Sequence, residues 1–243
     1  MTTRLRPALV AALAVSLGVG AASAQGQGEP QHREGRDRER DYRRADPAAV
    51  IAAEIAFARA AQDKGQWTAF AEYATKDALM FLPQPSNAQA WLKGRANPAQ
   101  AVRWQPHQVW SSCDGSLAVT KGAWQRPDGS VGYFTTVWER QKKQKDGYRW
   151  VLDQGDALAE PLAAPEMIAA KSAECPRPIP RDEVVLDPPQ CTAQGCTGGG
   201  RSGDGTLAFR YETAPDGART FRVLLRNAAG EMDEVLRSEV AAG

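Results

Sequence analysis

Five Asp-Gly dipeptides, at positions 114, 128, 146, 204 and 216, punctuate a 243-residue chain from near its middle onward. Both residues tolerate the positive φ that tight hairpin turns demand, so Asp-Gly between runs rich in Val, Thr and aromatics constrains the chain to antiparallel strands. The turn "RPDGS" at 126–130 is the clearest, with proline set for a type I turn and glycine able to take the left-handed position after it. Counting outward predicts four consecutive strands at 105–113, 116–125, 131–141 and 148–155.

Upstream the periodicity is helical. Asp46 is a good N-cap with Pro47 at the first helical position, and Val50, Ile51, Ile55 and Ala58 form an apolar stripe flanked by Phe57, with a stop at Lys64-Gly65. Trp67, Phe70, Ala71 and Ala74 give a second, shorter helix a core face. The run "ALMFLP" then reads as a strand ended by Pro83, and 83–98 as a loop around one helical turn. After the four strands, "PLAAPEMIAAKSAECPRPIPR" starts helix-like and dissolves into prolines, which places a boundary near residue 175. Residues 175–243 predict a small β-rich unit, marginal on its own for want of large apolar side chains.

The first 24 residues have a short basic start, an apolar run and the small-residue site Ala22-Ser23-Ala24, which together predict a cleaved signal peptide and a periplasmic or secreted product. Residues 25–46, where charges alternate and apolar residues are scarce, predict a disordered linker before a domain at 47–174. The formal charge of +1 gives no nucleic-acid footprint, and no membrane association is expected after signal cleavage.

Export governs the cysteines. Cys113, Cys175, Cys191 and Cys196 are an even set in an oxidising compartment and allow three pairings. "CTAQGC" can close on itself, which favours Cys191 with Cys196 and leaves Cys113 for Cys175. A zinc site is the competing reading, but His32 and His107 lie far from the cysteines, so no metal is predicted.

The segments "AEIAFARAAQDKGQWTAFAEYATKDALMF" (53–81), "RWQPHQVWSSCDGSLAVTKGAW" (103–124) and "GYFTTVWERQKKQKDGYRWVLDQGD" (132–156) resemble the NTF2-like superfamily, in particular its SnoaL-like members, over about residues 47–160. The resemblance implies an α+β fold: an NTF2-like cone of N-terminal helices packed on a curved antiparallel sheet, with a small C-terminal β extension. It also implies a pocket at the open end, in a superfamily that mixes isomerases, dehydratases and cyclases with binding proteins, so fold alone does not give function. Chemistry of the ketosteroid-isomerase type uses a carboxylate base with an oxyanion hole of tyrosine and protonated acid.

Asp153, near the end of the last predicted strand, is the sharpest candidate for a pocket carboxylate, whether base or ligand anchor; a salt bridge with Arg149 is the plainer reading. Tyr73 and His107 are the candidate catalytic partners, each with a structural role as the alternative. Trp104, Tyr133 and Trp138 join Asp153 as candidate ligand contacts, because pockets are mostly apolar and aromatic with a few polar groups. Tyr133, Thr135 and Val137 are expected on one face of their strand, and Phe134, Thr136 and Trp138 on the other. Apolar material on both faces asks for two covers: the helices on one, and a homodimer partner or the tail on the other. "GGGRSG" at 198–203 fits G-x-G-x-x-G but precedes a strand inside a loop, so no dinucleotide or other cofactor is predicted. The leading expectation is an exported protein that binds a small apolar molecule or a protein partner; the alternatives are a lyase or isomerase using Asp153, and a dimerisation module.

Overall fold

A computed structural model describes residues 44–141, 147–180 and 182–242. The expected signal peptide and nearly all of the expected linker lie outside them.

Three helices come early: α1 (Pro47–Lys64), α2 (Gln66–Tyr73) and α3 (Ala88–Leu92). Asp46 caps α1 by accepting the Ala49 N–H at 3.1 Å, and Gly65, at φ 99°, lets the chain turn directly into α2. The buried face of α1 is Val50, Glu54, Phe57, Ala60 and Ala61, while Ile55 is 42% exposed. The face is therefore rotated from the expected stripe, and a glutamate lies in the middle of it.

The first sheet has seven strands: β1 (Ala74–Phe81), β2 (Pro85–Asn87), β3 (Arg103–Ser111), β4 (Leu117–Gln125), β5 (Val131–Arg140), β6 (Tyr148–Leu158) and β7 (Ala169–Ser172), in the order β2-β1-β6-β5-β4-β3-β7. β7 runs parallel to β3 along the edge, where the sequence reads as the start of a helix. The second sheet has five strands in order along the chain: β8 (Val185–Thr192), β9 (Gly195–Arg201), β10 (Leu207–Thr213), β11 (Arg219–Arg226) and β12 (Met232–Val240).

The expected NTF2-like α+β cone with a minor β extension is thereby corrected. The described residues form a mostly β molecule built on sheets of seven and five strands, with only three helices. The reason lies in the tail. Its apolar residues are few, but β10 and β11 place Leu207, Phe209, Tyr211, Phe221, Val223 and Leu225 at strict alternation on one face. That face packs on Trp110, Leu117, Val119, Val137 and Leu152 of the first sheet as one continuous core. A second core, of Val50, Phe57, Ala61, Val109, Trp138 and Trp150, lies between helices and sheet. The first sheet is thus covered on both sides, and the face considered for a homodimer carries the chain's own second sheet.

Cys113 is joined to Cys175, and Cys191 to Cys196. The first bond ties the β3–β4 turn to the segment after β7; the second closes the β8–β9 hairpin.

Candidate functional site

Register across the first sheet determines which side chains meet under the helices. Val109, Thr120, Thr136, Asp153 and Met80 are successive partners across β3, β4, β5, β6 and β1. The neighbouring row, Trp110, Val119, Val137, Leu152 and Leu79, faces the second sheet. Asp153 therefore points to the helix side, and Thr136 Oγ1 donates to its Oδ2 at 2.8 Å.

One row further along, Gly122, Phe134 and Gly155 are partners, and Trp124 pairs with Gly132. A Cβ at Gly132 would overlap the Trp124 indole and the Asp156 carbonyl oxygen; one at Gly122 would meet the Gln105 carbonyl and the Phe134 ring. Glycine paired with a large ring lets the Trp124 and Phe134 rings lie across neighbours that have no side chain.

The resulting cavity, about 350 Å³, is lined by Phe57, Trp67, Phe70, Trp104, Trp124 and Phe134, together with Met80 and Val102. Asp153 is the ionisable group on its helix-facing side; Arg126 is exposed at its edge, and Asp156 pairs across the sheet with Tyr133, on the other face. The volume and the apolar lining with few polar groups are those of a small-molecule site. A wider hollow of about 520 Å³ beside Gln89, Lys93 and Arg95 contains no buried ionisable group and is the poorer candidate.

Burial among these rings pushes the Asp153 carboxyl up to about 7; the Thr136 hydrogen bond opposes the rise, the Glu54 charge adds to it, and Arg219 partly offsets it. Glu54, fully buried on α1, was not among the expected site residues. It accepts Trp104 Nε1 at 2.8 Å on Oε1, and Thr120 Oγ1 at 2.6 Å and Trp138 Nε1 at 3.0 Å on Oε2. Desolvation still raises its pKa against these three donors. The only trace of it in the sequence is its spacing, since position 54 is four after Val50 and three before Phe57.

Of the expected ligand contacts, Trp104 and Asp153 line the cavity. Trp138 is fully buried behind it as a donor to Glu54. Tyr133 lies on the opposite face, with the Lys121 Nζ 5.2 Å from its ring centroid. The candidate catalytic partners are not brought to Asp153. Tyr73 stacks on Phe57 at 5.2 Å, outside the cavity lining, with the Arg149 guanidinium 5.9 Å from its ring. His107 is buried at an irregularity in β3, where burial lowers its pKa and Gln105 Nε2 lies 3.4 Å from its Nε2. Arg149 donates to the Glu72 carbonyl, so the plainer pairing of Arg149 with Asp153 is not formed.

Among the described residues no group of three or more His, Cys, Asp or Glu could hold a metal ion, and no helix is long and apolar enough to cross a membrane. No protein-family model matches the chain, and no curated protein matches it.

Proposed function

We propose that this is an exported protein that binds a small, largely apolar molecule in the cavity between α1, α2 and the Gly122–Gly132 end of the first sheet. The observation that carries the reading is the cavity's composition: six aromatic side chains around a single interior carboxyl group. Rings supply sequestering area, and one polar group in an apolar wall fixes orientation. Two disulfides are compatible with an extracellular or periplasmic location.

Native mass spectrometry of protein purified from its own secretion route tests this. A co-purifying small molecule, lost in the Trp104→Ala variant, supports it. Protein free of any adduct that also fails to take up members of an aromatic fragment library removes it.

An acid–base enzyme in the same cavity is the second reading, favoured by a carboxyl that exchanges its proton near neutrality. With Tyr73 and His107 elsewhere, Asp153 would act with no partner beyond Thr136 and the substrate itself. Turnover of a bound molecule that disappears in Asp153→Asn while binding persists would distinguish it from simple binding.

A further inference from the structure

The cavity holds a carboxyl group inside and its one described basic side chain, Arg126, only at the exposed edge. Glu54 and Asp153 both lie within the helix side of the molecule, and neither forms an ion pair among the described residues. The charged groups facing Asp153 can be named element by element. Glu54 faces it from α1, and Arg126 stands at the rim in the β4–β5 turn; Asp156 of β6 acts instead on Tyr133 and Arg219 on the other face. Arg219 acts from β11, behind the sheet, where it donates to the Gly155 carbonyl and lies over Phe81. Thr136 from β5 and Met80 from β1 contribute no charge.

Arg126 is exposed, its guanidinium 4.7 Å from the Trp124 ring centroid, so its charge is held at the surface. Among the described residues no cation forms an ion pair with Asp153, and the Arg219 charge reaches it only from behind the sheet. What the cavity offers, in Trp67, Trp104, Phe57, Phe70 and Phe134, are ring faces that attract a cation, as the Trp124 ring already does with Arg126.

Resting on the ligand-binding reading above, we infer that the occupant is a small organic cation, a protonated amine carrying an apolar or aromatic body, whose ammonium group pairs with Asp153 while its body lies among the rings. The amine brings Asp153 a counter-charge from the cavity side, where no described side chain pairs with it, and a neutral molecule of the same shape gains only the apolar contact. Pairing requires the carboxylate form, so binding releases a proton from Asp153 and strengthens as pH rises. Glu54, behind Trp104, adds to the negative potential in the same direction.

The test is tryptophan fluorescence and calorimetry on the full exported chain with two probes of like shape, phenylethylamine and phenylethanol. The amine is expected to bind roughly tenfold or more tightly than the alcohol near pH 8. Its affinity should rise by about tenfold between pH 6 and pH 8 as the carboxyl ionises, with the alcohol nearly indifferent to pH. Asp153→Asn should bring the amine to the affinity of the alcohol and abolish its pH dependence; the pH series on the unaltered protein gives the answer even if that variant does not fold. Equal affinity for the two probes, or amine affinity that falls with pH, overturns the cation assignment and leaves the ligand-binding reading standing. If neither probe perturbs the tryptophans, both fall.

Discussion

The main-chain N–H of Asp114 donates to the Asp204 carboxylate at 2.8 Å, and the N–H of Asp204 returns the bond to Asp114 at 3.1 Å. The two residues occupy the same position in two matching turns, Ser112 to Leu117 between β3 and β4 and Ser202 to Leu207 between β9 and β10. In each, the first serine donates to the aspartate Oδ1 and accepts the leucine N–H. Cys113 N–H to Thr206 Oγ1 and Gly203 N–H to Ser116 Oγ complete the exchange. One turn from each sheet thus satisfies the other.

Asp204→Ala removes the acceptor of four hydrogen bonds in a largely buried site. It should destabilise the protein by ~2–4 kcal/mol, and combination with Asp114→Ala should be non-additive by ~1 kcal/mol or more, since each aspartate completes the other's turn. Urea unfolding of the two single variants and the double variant checks this; strict additivity would mean the turns are stabilised independently.

The disulfides differ in reach. Cys113–Cys175 spans 62 residues and Cys191–Cys196 only 5. Loop-closure entropy then gives the long bond ~4 kcal/mol and the short one ~2 kcal/mol or less. Paired Cys→Ser substitutions should show the larger fall in thermal midpoint for the long bond, and a thiol titration of the oxidised protein should find no free cysteine.

Asp153 sets a pH dependence with an unusual sign for a carboxylate. Its pKa rises on folding from 3.8 to about 7, so between those values the folded protein holds a proton that the unfolded chain has released. The group's full contribution to stability is present below about pH 4 and is lost as pH climbs through 7. The urea midpoint should therefore decline from pH 5 to pH 8, and Asp153→Asn should flatten that decline, gaining up to ~4 kcal/mol over the unaltered protein at pH 8. Glu54, displaced in the same direction, will leave some slope. A variant curve as steep as the original would locate the titration elsewhere.

Glu54→Gln keeps size and hydrogen-bonding atoms but replaces one acceptor oxygen with a donor amide. Three donors now converge on the carboxylate, so at least one of Trp104, Trp138 and Thr120 would lose its partner. A cost of ~1–3 kcal/mol is expected, together with a change in near-ultraviolet circular dichroism as the two indoles shift. Unchanged stability would indicate that the fold does not depend on the charge-assisted form of these bonds.

Much of the secondary structure was legible where chemistry is local. Asp-Gly turns placed β3 to β6 to within a few residues, because such turns are encoded in two positions. The helices α1 and α2 were likewise marked by Asp46-Pro47 and Gly65. What escaped was non-local. Leu207, Phe209, Tyr211, Phe221 and Val223 become core only because another sheet lies opposite, and composition counted along the tail cannot show that partner. Ala169–Ser172 has helix-forming residues but is drawn into the sheet by β3 beside it. At the site, alternation put Thr136 on one face with Phe134 and Trp138 but left the direction of Asp153 open, because a register irregularity at Val137 and Trp138 breaks the count along β6; Glu54 resembled an ordinary polar helix residue until two indoles and a threonine from distant strands closed on it.

The second sheet grips β6 directly behind the cavity wall. Arg219 donates to the Gly155 carbonyl at 3.1 Å, and Gln154 Nε2 reaches Ser238 Oγ at 3.2 Å, on the two residues that follow Asp153. The C-terminal strands are thus the backplate of a cavity they do not line. Trimming the gene to its first sheet would therefore strip Leu117, Val119, Val137 and Leu152 of their cover and be felt at the cavity wall from behind, whereas a chain cut after Ala173 would still hold its tail through Cys113–Cys175.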